Sequence, residues 1–370
     1  MRGARAVLAA ALAVAGALYG SGCGTKFELP TESPRTPPPG ENTYFVKYRW
    51  AGFAGARDIL MTRGGEVLVA EPRPGGDSLR VRGYYRSRKD PTPTGLEMPG
   101  LAFPIRIAEG AGGALFVLDD AKPPVVNRYG SSGQSVLATF TDPDWLEVVD
   151  DTTRPDSRTL RVTNSSVTLR GLAADDANNV YVAWSDSAFH EDLDLIDSTR
   201  SFSVDIADIV RKYTVDGTPI VDLATRGTGT GFVETPGGLA VSEGALYYAD
   251  VGKDWVQKVS ADVPASPISV LTGLDLPGDP GFLRPLDVAV DDSGFVYVTD
   301  TGKGRVVKYD RDGVLDMRID IPDSSTTEPT ETVEPIAVTA SRTLALVLDK
   351  TLGMILIYEL RSGLETKVGP

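Results

Sequence analysis

Arginine stands at or just before the start of four short apolar runs: Arg57 before Asp58, Arg106 inside PIRIA, Arg170 before Gly171, and Arg284 before PLDVAV. Asp58, Asp287 and Glu334 occupy or adjoin the same places in their own runs. A guanidinium presents a planar fork of N–H donors that matches a carboxylate or phosphate. Brought to one opening, the four would hold a carboxylate, a phosphate or an acidic sugar. The same residues have a second use, in which the arginines neutralise Asp58, Asp287 and Glu334 as a structural rim. In a third, those carboxylates hold a hard cation such as calcium, which the neighbouring arginines would oppose.

The elements that must position these residues recur along the chain. Residues 285 to 313, PLDVAVDDSGFVYVTDTGKGRVVKYDRDG, contain an apolar strand, a Gly turn, a second strand ending in Asp300, another Gly turn and a third strand from Arg305 to Tyr309. Related copies begin near Asp58, Pro104, Gly171, Pro236 and Pro335. The second strands are anchored at Val67, Leu115, Val180, Leu246, Val296 and Leu344, at intervals of 48, 65, 66, 50 and 48 residues. A four-stranded propeller blade takes about 40–50 residues. One such meander cannot bury both of its faces, so copies must stack radially. The expected fold is all-β, a six-bladed β-propeller of four-stranded antiparallel blades. The openers Asp58, Arg106, Gly171, Gly238, Asp287 and Ala337 then surround a central channel, and Arg57, Arg170, Arg284 and Glu334 stand at its mouth.

Residues 296 to 313, VYVTDTGKGRVVKYDRDG, resemble the NHL repeat: a strand, Asp, a Gly-containing turn, Arg, an apolar pair and an aromatic before Asp-Gly. The resemblance extends over roughly residues 55 to 360. It implies a six-bladed propeller of a kind that serves as protein, RNA or sugar binder and, in some branches, as lyase or lactonase. His190 is the only histidine. The amidating-lyase branch depends on histidine zinc ligands, which this chain cannot supply.

The two long intervals place insertions at 142–162 and 184–205. Trp145, Trp184 and Phe189 lie in them and are either anchors for a partner or aromatics packed within the blade. His190 and its neighbours Glu191, Asp192 and Asp194 are expected in a solvated acidic loop. Asp119, Asp250, Asp300 and Asp349, closing four second strands, are expected to accept N–H bonds from the turns that follow.

The first 22 residues combine Arg2 and Arg5 with an apolar run from Ala6 to Leu18, too short for the roughly 20 residues of a spanning helix and suited to a secretory signal. The run closes on Cys23, the single cysteine in 370 residues. This resembles a bacterial lipoprotein signal, which implies a lipid on the Cys23 thiol; an ordinary signal peptide with a chance cysteine is the alternative. Residues 23–43, rich in Pro, Thr, Ser and Glu, read as a tether, with the propeller at 44–370. The segment YFVKYRW from Tyr44 is one candidate for the strand that closes the ring, and Leu364 to Val368 is the other. Net charge is −14, and loss of the signal arginines makes the remainder more acidic. That excludes nucleic acid as a partner. The resulting expectation is a lipoprotein of the bacterial envelope, at the outer membrane in a diderm. It would need no cofactor and would bind a protein, peptide or glycan; a calcium-dependent lactonase or esterase is the alternative.

Overall fold

The computed structural model describes residues 42–146, 149–153, 159–262, 264–274, 279–321 and 333–362. The residues expected as a signal, Cys23, nearly all of the expected tether and the closing candidate at 364–368 lie outside the described residues.

Residues 44–361 form one compact unit. Six antiparallel sheets follow one another in chain order. Their inner strands are Asp58–Met61, Pro104–Glu109, Thr159–Ala174, Pro236–Ser242, Pro285–Val290 and Pro335–Ser341. Each inner strand touches the next, and the sixth touches the first, so the ring closes at six blades. The outer strand of blade six is Asn42–Ala51, hydrogen-bonded beside Met354–Ser362. Closure therefore comes from the Tyr44 segment. Trp50 on this strand is buried among Val67, Val69, Leu346 and Ile355, bridging the last blade to the first.

The second strands carry the packing. Val67 and Val69 join the cluster against blade six, whereas Leu68 and Ala70 join the cluster against blade two. Blade five repeats this, with Val296 and Val298 facing blade four and Tyr297 facing blade six. Successive strand residues point to opposite faces. A strand sandwiched between two blades must therefore be apolar at every position, which produces the continuous triplets that mark the repeat.

Blade three departs from the four-stranded plan. A fifth strand, Val149–Thr153, pairs with the start of Thr159–Ala174. Its next two strands, Val180–Asp194 and Arg200–Tyr213, span 15 and 14 residues. Pairing continues from the blade out to Leu160↔Leu193 and Leu193↔Arg200, past a bulge at Leu169/Gly171. Much of the described part of the insertions is thus elongated strand forming a sheet-like flap, in place of loops.

Candidate functional site

The six openers form one level of the channel. Asp58 on blade one accepts the Ile107 N–H of blade two at 2.7 Å, and Asp287 on blade five accepts the Val338 N–H of blade six at 2.9 Å. Ile107 and Val338 occupy equivalent positions, so both carboxylates stitch their blade to the next. Arg106 reaches across blades as well: Nε donates to the Arg170 carbonyl at 2.6 Å, and Nη1 lies 3.4 Å from Asp58 Oδ1. The small openers follow from close approach. A Cβ on Gly238 would overlap the Asp287 carboxylate, and one on Gly171 would strike the Gly237 carbonyl.

One guanidinium facing two buried carboxylates leaves an excess negative charge in low dielectric. Burial pushes Asp58 up to about 7, Arg106 draws it down, and Asp287 raises it further. Burial raises Asp287 too, opposed by Arg106. An unfolded Asp ionises near 3.9. Between that value and about 7 the native chain holds more protons than the unfolded chain, so stability must fall as pH rises through this window. The full-length protein is expected to melt at a higher temperature at pH 5 than at pH 8, with Asp58→Asn reducing the slope. Equal melting temperatures at the two pH values would refute this.

Two cavities meet at this level. The inner one, about 200 Å³, is lined by Asp58, Asp287 and Arg106 and runs toward Arg63, Glu109 and Asp292. The outer one, about 690 Å³, is lined by Arg57, Arg106, Arg170 and Arg284 together with Lys122 and Lys350. Its two carboxylates are Asp120 and Glu334, and Glu334 lies 3.3 Å from Lys350. The structure therefore gathers the four arginines and Glu334 at one mouth and assigns Asp58 and Asp287 to the other side of Arg106. Among the described residues, no carboxylate comes within ion-pair distance of Arg57, Arg170 or Arg284. The opposite mouth is acidic, lined by Asp175, Asp176, Glu243, Asp262, Asp291 and Asp292 with Arg63 and Lys212.

The closing aspartates position the basic mouth, which corrects part of the turn expectation. Asp349 does accept from Leu352 in the following turn, at 2.8 Å. Asp119, Asp250 and Asp300 instead accept from the segment entering their own inner strand: Ala102 and Phe103 at 2.9 and 2.6 Å, Glu234 at 3.0 Å, and Leu283 at 2.7 Å. Each carboxylate thereby ties the entering chain to its blade at the channel mouth. Arg284, at φ +54°, follows Leu283 and donates its N–H to Asp254 at 2.7 Å.

Two interface candidates are corrected. Trp145 and Trp184 are 0% and 1% exposed and meet edge to face at 6.0 Å. Asp142 caps the Pro143–Trp145 turn and accepts the Tyr213 hydroxyl at 2.7 Å, which folds Trp145 back between blades two and three. They are core residues; of the three aromatics only Phe189, 43% exposed and stacked on Phe202, stays at the surface. His190 is also corrected: it is buried on a strand, 2.9 Å from Thr163 Oγ1 and 3.1 Å from Asp205 Oδ2. Asp192 pairs with Arg161 and Glu191 with Arg200 along the flap, so this acidic stretch is a strand braced by ion pairs.

A calcium site built from Asp58, Asp287 and Glu334 would need them at one point. Glu334 lines the basic mouth, and Asp58 and Asp287 line the inner cavity. Among the described residues no three acidic, His or Cys side chains converge as a metal site. Sequence reasoning passed over Phe103, Ile105, Leu286 and Ile336 at the basic mouth, and Lys122 and Lys350. Three of these apolar residues immediately precede Arg106, Asp287 and Ala337, a register already visible in the aligned openers.

Residues 282–309 match the family model of the NHL repeat. No curated protein matches the chain. Among solved structures, the β-propeller domain of Myceliophteria thermophila Cps50 (Swd1) superposes with a TM-score of 0.50 at 9% identity, over 86% of this chain and 99% of that one. A streptogramin B lyase gives 0.48 at 10% identity, over 86% and 98% of the two chains. A chain of a nidogen/laminin complex gives 0.48 at 15% identity, over 73% and 81%. At such identities the likeness is one of fold, and a fold does not choose a function. The chain is a six-bladed β-propeller whose fifth blade carries an NHL repeat.

Proposed function

We propose that this propeller is a non-enzymatic binding protein, held at a bacterial envelope through a lipid on Cys23, which receives an acidic group of a protein, peptide or glycan partner in its basic mouth. The observation that carries the reading is the 690 Å³ cavity, where four arginines and two lysines converge on a chain of net charge −14. Its size falls in the range of roughly 300–1,000 Å³ common to ligand sites. Local positive charge against a negative whole steers an anion to one place and repels it elsewhere. Asp58 and Asp287 are engaged by backbone N–H groups and Arg106, which suits a structural role for them.

Titration calorimetry of the full-length protein with a glutamate-rich hexapeptide and with an acidic oligosaccharide tests the reading. Each lost charge-assisted hydrogen bond costs about 1.5–3 kcal/mol, so Arg57→Ala combined with Arg170→Ala is expected to weaken binding by at least about tenfold. The tightest binder should weaken further as salt rises. Binding unaffected by the double substitution would place the site elsewhere. Calcium-dependent hydrolysis of a lactone or ester would overturn the non-enzymatic part, and an intact mass showing unmodified Cys23 would overturn the anchor.

A further inference from the structure

We infer that the group received in the basic mouth is a single carboxylate carried on an apolar body. The inference rests on the reading of that mouth as an anion site and narrows it to one chemistry. Ile105, Leu286 and Ile336 stand one residue outside Arg106, Asp287 and Ala337, and all three are half-buried walls of the cavity. Ile105 and Ile336 turn part of their surface to the interblade clusters. Leu286 belongs to none of the six apolar clusters among the described residues and lines the cavity. Phe103, 45% exposed, adds an aromatic at the rim. Apolar side chains left half-covered inside a concave site gain by burial when an apolar ligand displaces water from them.

The cations enter the mouth from several blades, Arg284 from the blade of Leu286 and Lys350 from the blade of Ile336. Arg57 and Arg170 occupy the same level on blades one and three, flanking Arg106 on blade two. Arg170 donates Nε to Ser185 Oγ at 3.1 Å, which leaves its two terminal nitrogens for a ligand. Burial lowers its pKa, and the nearby Arg106 adds like-charge repulsion against the pull of Asp208. An incoming carboxylate would relieve both. Arg106 itself is occupied by Asp58 and the Arg170 carbonyl, so Arg57 and Arg170 are the groups that hold the head. A second charge on the same ligand lying against Leu286 and Ile336 would be desolvated without a partner, which favours a single charged head. A free amphipathic acid and the C-terminus of a peptide ending in an apolar residue offer the same chemistry.

Calorimetry of the full-length protein with acetate, octanoate, octan-1-ol, citrate, and acetyl-Gly-Gly-Leu-Leu as its acid and its amide decides the matter. Each methylene buried contributes about fourfold in affinity, so octanoate is expected to bind at least about tenfold more tightly than acetate. Octan-1-ol and the peptide amide are expected to lose at least about tenfold relative to the matching acids. Whichever of octanoate and the peptide acid binds more tightly names the source, and either ordering supports the inference. Leu286→Gln should erase the advantage of octanoate over acetate, and Arg57→Ala with Arg170→Ala should erase the advantage of octanoate over octan-1-ol, each in a variant that keeps the wild-type circular dichroism spectrum. Citrate binding as tightly as octanoate, or octan-1-ol matching octanoate, would overturn the apolar-acid inference while leaving an anion site or a purely apolar one. No binding by any of the anions would overturn the anion reading itself.

Discussion

Arg106→Met is expected to destabilise the propeller by about 3–5 kcal/mol at pH 8 and by markedly less at pH 5. The substitution keeps an apolar stem of similar length but removes Arg106, the cation that, among the described residues, draws down the pKa of Asp58 and Asp287. Both carboxyls are buried and already raised by desolvation, and without Arg106 they rise further. A group whose native pKa is raised contributes its stability below the unfolded value and loses it as pH climbs through the native value. The deficit of the variant must therefore grow between pH 5 and pH 8, as both carboxylates are forced to ionise without their counter-charge. Urea unfolding followed by tryptophan fluorescence at the two pH values measures it. A loss of the same size at both would show that Arg106 contributes packing and its bond to the Arg170 carbonyl, with no electrostatic role in the channel.

Trp145→Ala is expected to cost about 3–5 kcal/mol, the usual range for emptying a buried tryptophan site. Trp145 fills the seam between blades two and three, within 6 Å of Trp184 and Tyr213. It closes a short turn capped by Asp142, which also accepts the Tyr213 hydroxyl. Phe189→Ala, by contrast, removes a ring that is 43% exposed on the flap and should cost under about 1 kcal/mol. A small effect at Trp145, equal to that at Phe189, would mean that the turn swings open and that the tryptophan serves an interface after all.

The repeat was legible because burial on both faces imposes an unmistakable signal. Val67, Leu68, Val69 and Ala70 are all apolar, since alternate residues serve two different blades, and the same demand recurs at each copy. The flap carried no such signal. In HEDLDLIDSTRSFSVD the charged and apolar residues alternate over strands exposed on at least one side, and the sequence resembles a polar loop. Only pairing with Thr159–Ala174 makes it strand, and it buries His190 in doing so. Trp145 was equally opaque, lying in an Asp- and Pro-rich run, because the contacts that bury it come from Trp184 and Tyr213, 39 and 68 residues away.

The sequence by itself determined the number of blades, the register of their inner strands and the supply of arginines at one end of them. Periodic burial writes those properties into local residue patterns. The tertiary structure alone decided the partition of the charges. Arg57 and Asp58 are neighbours in the chain, yet the pleat assigns one to a 690 Å³ basic mouth and the other to the inner cavity beyond Arg106. Which charges are neutralised and which remain available to a ligand depends on distances across the ring, between blades up to about 280 residues apart, and no local pattern encodes them.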